Sequence, residues 1–355
     1  MSLTTWKETV ERIVPADRGA MEAARRHWDA LAKPLGGLGA VEDAIVRIAG
    51  MTGDPEVRLS KRVVVAMCAD NGVVAEGVTQ TGQEVTAVVT ENMSKGASSV
   101  CLMSRRAGAE VVPVDIGVAR PVTGERILQR NIRRSTANMT QGPAMSREEA
   151  ERAVAVGIDL VRDLKEQGYR LFATGEMGIG NTTTSSAMTA VLLDVPVEQV
   201  TGRGAGLSSE GLERKIDAIK RAIAVNRPDP KDPLDVLSKV GGLDVAGLVG
   251  VYLGGAALHV PVLIDGLISS VAALAAARLC PAAVDYMLAS HASGEPAGEL
   301  VLEALGLKPF LRAGMHLGEG TGAVAVMPLL DMGLEVYHGM PTFEGTKIEA
   351  YQPLK

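Results

Sequence analysis

A set of short, almost uncharged β-forming runs constrains this chain most: each ends in a loop, and helical patterns lie between them. The run VVVAMCAD (Val63–Asp70) is apolar up to its final Asp and opens into NGVVAEG. A strand apolar on both sides of its pleat is covered on both faces, as strands of parallel sheets are. Glu110–Ile116, Tyr169–Thr174 and Val262–Asp265 repeat the pattern, and Asp285–Ser290 offers one more strand. Helical spacing is predicted over Ala20–Ala32, Leu38–Gly50, Glu84–Arg106 and Ser185–Leu192. A capping box, Ser146-Arg147-Glu148-Glu149, opens a further helix running to about Gln167. Buried strands alternating with helices predict an α/β fold, a doubly wound and mainly parallel sheet with helices on both faces. Residues 60–305 are assigned to this large domain, and 1–59 with 306–355 to a smaller helical domain built from the chain ends.

In such sheets ligands bind at the carboxyl ends of the strands. The loops beginning at Asp70, Gly175, Asp265 and His291 therefore share one rim. Nucleic acid is a poor fit as a partner: the net charge is −6 and aromatic residues make up only 3%, leaving neither a basic stripe nor a stacking platform. Cys68, Cys101 and Cys280 sit in apolar contexts without metal-ligand spacing, and the five histidines show no zinc-binding pattern, so no metal is expected. The N-terminal stretch carries no signal-peptide core. Val245–Ile264 lacks charged side chains, but Gly254, Gly255, His259 and Pro261 interrupt it, so it reads as a buried helix and a core strand rather than a membrane span. A cytoplasmic location is expected.

Four segments can carry chemistry. Gly175-Glu176-Met177-Gly178-Ile179-Gly180-Asn181-Thr182-Thr183-Thr184 joins a strand to a helix. Its glycines and the helix start suit an anion such as a phosphate, although a plain strand-to-helix turn has the same outline. It is neither a P-loop nor GxGxxG. Gly202-Arg203-Gly204-Ala205-Gly206 is followed by Lys215, which either reaches a phosphate or lies on a solvated helix face. In Leu317-Gly318-Glu319-Gly320-Thr321-Gly322-Ala323 a carboxylate is flanked by glycines at a helix entrance, where it can act as a general base or as an N-cap. His291-Ala292-Ser293-Gly294-Glu295-Pro296 gathers His, Ser and Glu in one loop, without the elbow motif of a serine hydrolase.

Taken together, these segments resemble the nicotinate-nucleotide–dimethylbenzimidazole phosphoribosyltransferase family. The resemblance runs through KPLGGLGAVE (Lys33–Glu42), VVVAMCADNGVVAEGV (Val63–Val78), GPAMS (Gly142–Ser146), GEMGIGNTTT, LSKVGGLD (Leu237–Asp244), PVLIDGLIS (Pro261–Ser269), SHASGEP and LGEGTGA. It implies a Rossmann-like large domain, a small helical domain and a homodimer. The implied reaction moves 5-phosphoribose from nicotinate mononucleotide to an aromatic base with inversion at C1′, and it needs neither cofactor nor metal. By resemblance Glu319 is the catalytic base and Glu176 the active-site acid. Lys215, Gly178, Gly180, Asn181, Thr182, Ser293, Gly204, Asp265 and Gly320 are assigned to the phosphoribosyl and phosphate site. Thr81, Val89, Met177 and Leu317 are assigned to the acceptor-base pocket.

Departures from the family pattern fall on the acceptor side. Thr81-Gly82 stands where Ser-Pro or Tyr-Pro is usual, Val89 where benzimidazole-using members carry Gln, and Asn71 where His is common. A phenolic or purine acceptor is therefore the alternative for the same reaction, since Val89 offers no side-chain hydrogen bond to a second ring nitrogen. Of the readings from other classes, a nucleotide-dependent oxidoreductase lacks its glycine fingerprint. A non-catalytic nucleotide-binding subunit would have no need for Glu319, Glu176 and Lys215 together.

Overall fold

A computed structural model describes residues 6–351. The first five and last four residues, which belong to the expected chain-end domain, lie outside the described residues. Among the described residues six strands form one sheet: β1 (Arg62–Ala69), β2 (Ala109–Gly117), β3 (Leu128–Gln129), β4 (Leu171–Met177), β5 (Val262–Ile264) and β6 (Met287–Ala289). Their order is β3-β2-β1-β4-β5-β6, and every pair is parallel. The doubly wound sheet expected from the sequence is therefore present, with the strand order reversing between β1 and β4. At such a reversal the connections leave in opposite directions and open a crevice beyond the strand ends.

Both faces of β1 are covered. Val64 lies against Gly320 at the start of the helix Thr321–Gly339, while Met67 lies against Gly247 in the helix Leu243–Ala257. Residues an odd number apart on a strand point to opposite faces, so these two helices sit on opposite sides of the sheet. The same parity governs β4. Thr174 bonds the Tyr252 hydroxyl at 2.8 Å and so faces the helix Leu243–Ala257, and Glu176, two residues on, faces the same way. Gly175, between them, faces the turn at Glu319, whose carbonyl oxygen would collide with any Cβ placed there.

Three local expectations change. The helix expected over Glu84–Arg106 is two helices, Glu84–Ser94 and Ser99–Ala107. Gly96, at φ +72°, ends the first in a left-handed turn in which its N–H bonds Met93 O and the Ala97 N–H bonds Asn92 O. The strand expected to end at Thr174 continues through Met177, so Glu176 is a strand residue and not a loop residue. The two-residue β3, which pairs with Val114 and Asp115, is too short to leave a sequence pattern.

The uncharged segment from Val245 forms the buried helix and core strand expected of it. No helix among the described residues is long and apolar enough to cross a membrane. Helices from the two chain ends meet: Ala40–Thr52 packs on Thr321–Gly339, and His27 Nε2 lies 2.7 Å from Tyr337 O. Arg62, at the start of β1, clamps Asp331 of the C-terminal helix.

The helices Arg147–Glu166 and Leu243–Ala257 touch backbone to backbone at Gly157 and Gly250. A Cβ on Gly157 would strike the Gly247 carbonyl, and one on Gly250 would strike the Val154 carbonyl. Gly250→Ala gains about 1 kcal/mol of helix propensity but overpacks a rigid contact, which costs about 1–3 kcal/mol or more. The expected outcome is a net loss, read as a lower urea midpoint. An unchanged or raised midpoint would show that the helices can separate freely.

Candidate active site

A cavity of about 230 Å³ opens at the carboxyl rim of the sheet, over the ends of β4 and β5. Of the site residues named from the sequence, Glu176, Met177, Gly178, Gly180, Asn181, Thr182, Gly204, Lys215, Asp265, Ser293, Leu317, Glu319 and Thr81 line it. Val89 and Gly320 are not among its lining residues. Val89 is partly buried against the core on the helix Glu84–Ser94, and Gly320 lies behind Glu319 as the N-cap of the helix Thr321–Gly339.

Lys215 forms one wall. The helix Ser209–Asn226 turns it inward, leaving it 1% exposed, and its Nζ donates to Thr182 Oγ1 at 2.8 Å and to Gly202 O at 3.0 Å. Burial lowers its pKa to about 8, opposed in part by the Glu295 carboxylate. Thr182 belongs to the first turn of the helix Asn181–Leu193, whose N-terminal dipole points into the same wall. A buried ammonium, a hydroxyl and a helix start together have the chemistry to hold an anion. Gly204 adopts φ +55°, and a Cβ there would crowd Thr182 Oγ1 at 3.1 Å.

A cluster of acids gathers at the same helix start. Asn181 donates from Nδ2 both to Glu176 Oε2 and, at 3.1 Å, to Asp244 Oδ2. Burial pushes Glu176 up to about 8, with Asp244, Asp265 and Glu319 adding like-charge repulsion. Asp244 is raised to about 6, chiefly by burial. Asp265 is also raised by burial, and His291 opposes that shift.

Glu319 sits in a left-handed turn at φ +61°, between Gly318 at +88° and Gly320 at +100°. Its Oε2 accepts the Val100 N–H at 3.0 Å, in the first turn of the helix Ser99–Ala107. Asp265 fixes the backbone behind it. Its two oxygens accept N–H bonds from Gly320 at 3.1 Å, Gly322 at 2.7 Å and Ala323 at 3.1 Å. Asp265 was named from the sequence as a substrate contact, yet the bonds it makes here cap a helix and hold the Glu319 turn.

Sequence reasoning assigned no role to Asp244. Its signal is an acid at the start of a long uncharged helix, just after Gly241-Gly242. His291, whose Nδ1 lies 3.0 Å from Ser290 Oγ, also lines the cavity but was read only as part of its loop.

A cavity at the carboxyl ends of the strands, lined by a buried lysine beside a helix start and by carboxylates, suits a group-transfer enzyme on a Rossmann-like sheet. The phosphoribosyltransferase family profile matches residues 13–348. A nicotinate-nucleotide–dimethylbenzimidazole phosphoribosyltransferase of Acetivibrio thermocellus is 48% identical over 98% of this chain and 99% of its own. One of the same name from Chloroflexus aggregans is 47% identical over 97% of each chain. The crystal structure of CobT from Thermus thermophilus superposes with a TM-score of 0.89 at 40% identity, covering 94% of this chain and 100% of that one. The chain belongs to the nicotinate-nucleotide–dimethylbenzimidazole phosphoribosyltransferase family.

The acidic wall has a consequence for stability. Between the ordinary value of 4.5 and about 8, the folded protein holds the Glu176 proton more tightly than the unfolded chain does. Wild-type stability should therefore fall as pH rises through that window, with no penalty below it and the full penalty above it. Glu176→Gln keeps an oxygen for Asn181 and removes the titration. Its melting temperature relative to wild type should rise steadily from pH 5 to pH 8, as measured by thermal scans across that range. A difference that does not vary with pH would contradict the buried, proton-holding carboxyl.

Proposed function

We propose that this enzyme transfers 5-phosphoribose from nicotinate mononucleotide to an aromatic lower-ligand base of the benzimidazole type. The products are an α-riboside 5′-phosphate and nicotinate, and the process served is cobamide biosynthesis. The observation that carries the reading is the sharing of one cavity by the Lys215–Thr182 anion site and the Glu319 carboxylate. Near-full-length similarity to relatives named for this reaction supports it.

The chemistry follows from the donor's charge. Nicotinate is attached to C1′ as a pyridinium, so when the C1′–N bond breaks its electron pair neutralises the ring and no strong acid is required. The unprotonated ring nitrogen of the acceptor forms the new C1′–N bond from the opposite face, which inverts the anomeric centre. The acceptor's other ring N–H becomes acidic as this bond forms, and Glu319 takes its proton. Lys215, Thr182 and the helix start hold the 5′-phosphate, which fixes C1′ in line with the acceptor. Val89, on which a preference for a phenol rested, is not among the cavity-lining residues, so the cavity lends that preference no support. We take the working assembly to be the homodimer that the resemblance implies. Sedimentation showing only monomer at assay concentrations would remove that part of the reading.

Release of nicotinate from the mononucleotide, dependent on added 5,6-dimethylbenzimidazole, tests the reaction and excludes a non-catalytic subunit. Glu319→Gln retains an acceptor for the Val100 N–H but no base. Its turnover should fall by about 10²–10⁴ while nucleotide binding persists. Turnover within a few-fold of wild type would displace Glu319 from its role. Lys215→Ala should instead raise the Kd for the mononucleotide at neutral pH. Unchanged affinity, measured by calorimetry, would place the phosphate elsewhere.

A further inference from the structure

We propose that Asp244 is a positioning residue of this site. Bridged to Glu176 by the Asn181 amide, it keeps one proton between two buried carboxyls, so that Glu176 faces the incoming anionic nucleotide as a neutral group. The inference rests on the phosphoribosyl-transfer reading for its purpose, but not for its physical content.

Three features of the geometry point to it. One nitrogen, Asn181 Nδ2, donates to both Glu176 Oε2 and Asp244 Oδ2, which holds the two carboxyls within a few ångströms of each other. Asp244 is fully buried and Glu176 is 7% exposed, so water screens the pair little. Two carboxylates this close in a dry site do not both ionise near neutrality. The space for Asp244 is also built into the backbone: a Cβ on Gly178 would lie 2.5 Å from Asp244 Oδ2, and one on Gly242 would strike Oδ1. The other Asp244 bond, from the Val245 N–H at 3.0 Å, fastens the carboxylate to the start of its helix.

The Val245 N–H on Asp244 Oδ1 favours the ionised form of Asp244, which leaves the proton to Glu176, the member that lines the cavity. The other titratable groups facing the pair are Asp70 beside Asp244, Asp265 and Glu319 beside Glu176, and the Cys68 thiol of β1, which burial pushes up to about 12 and keeps neutral. None of these supplies a cation. His291, a basic group lining the same cavity, acts on Asp265. Ionising Glu176 would add a negative charge to a cavity that must admit a phosphate and a nicotinate carboxylate. The retained proton therefore favours binding of the nucleotide more than the chemical step.

Infrared titration of the whole protein tests this without turnover. The carbonyl stretch of a protonated carboxyl should be present at pH 7, vanish as the pH is raised past about 8, and be missing in Glu176→Gln. Asp244→Asn keeps an acceptor oxygen for Asn181 but removes the charge. Its band should vanish about one pH unit lower or more, a tenfold or greater loss of proton affinity. The alkaline rise in Kd for nicotinate mononucleotide should move down with it, appearing in kcat/KM and not in kcat. Lys215 loses its own proton near pH 8, so the infrared band rather than the binding curve identifies the carboxyl. Absence of the band in wild-type protein at pH 7 would overturn the proposal. So would a folded Asp244→Asn whose band does not move. If the band behaves as expected but no nicotinate is released with any base, the reaction fails and the shared proton stands.

Discussion

The site depends on the parallel pairing of β1 with β4. Their register sets Glu176 opposite Met67, and the strand order reverses between them, so the connections leave in opposite directions beside the cavity that the last residues of β4 line. With both faces covered by helices, polar groups emerge at the strand ends. The period of two along β4 then decides direction. Thr174 and Glu176 turn to the helix carrying Tyr252 and Asp244, and Gly175 turns to the Glu319 loop. A single shift in register would exchange those faces and separate the carboxyl from its partners.

Gathering acids at a dry edge opposes folding, and the chain offsets the opposition with backbone amides more than with counter-charges. Asp265 takes three N–H groups, Asp70 takes that of Ala119 at 2.8 Å, and Glu319 takes that of Val100. Backbone donors sit at fixed positions and bring little side-chain entropy, so each carboxylate is held in place as it is stabilised. Lys215 is treated the same way, with a carbonyl and a hydroxyl as its partners.

Much of this was legible in the sequence because buried parallel strands leave unmistakable apolar runs. The parallel sheet and the rim that carries GEMGIGN could be read that way, the Ser146 capping box from its own spacing, and the placing of LGEGTGA in the same site only from the family resemblance. What was hidden depended on distance or on parity. Glu176 read as a loop residue because a glycine precedes it, yet that glycine exists to let another backbone pass. Asp265 lines the cavity as expected, but its second task was hidden, because a carboxylate at a strand end looks the same in sequence whether or not it also meets the N–H groups of a helix 55 residues away. Asp244 went unassigned since its partners, Asn181 and Glu176, lie more than sixty positions upstream. Val89 was placed in the pocket by comparison with relatives, and helix periodicity alone could not say which way it turned.

Glu319 occupies a backbone region that side chains other than glycine avoid, with left-handed glycines on both sides. Holding such a residue there costs roughly 1–2 kcal/mol, which glycine would not incur. At this one position, selection for durability and selection for chemistry pull in opposite directions. Laboratory evolution under heat alone, blind to turnover, would be drawn to empty the turn of its carboxylate, whereas a screen that retains activity must find its stabilising changes elsewhere in the chain.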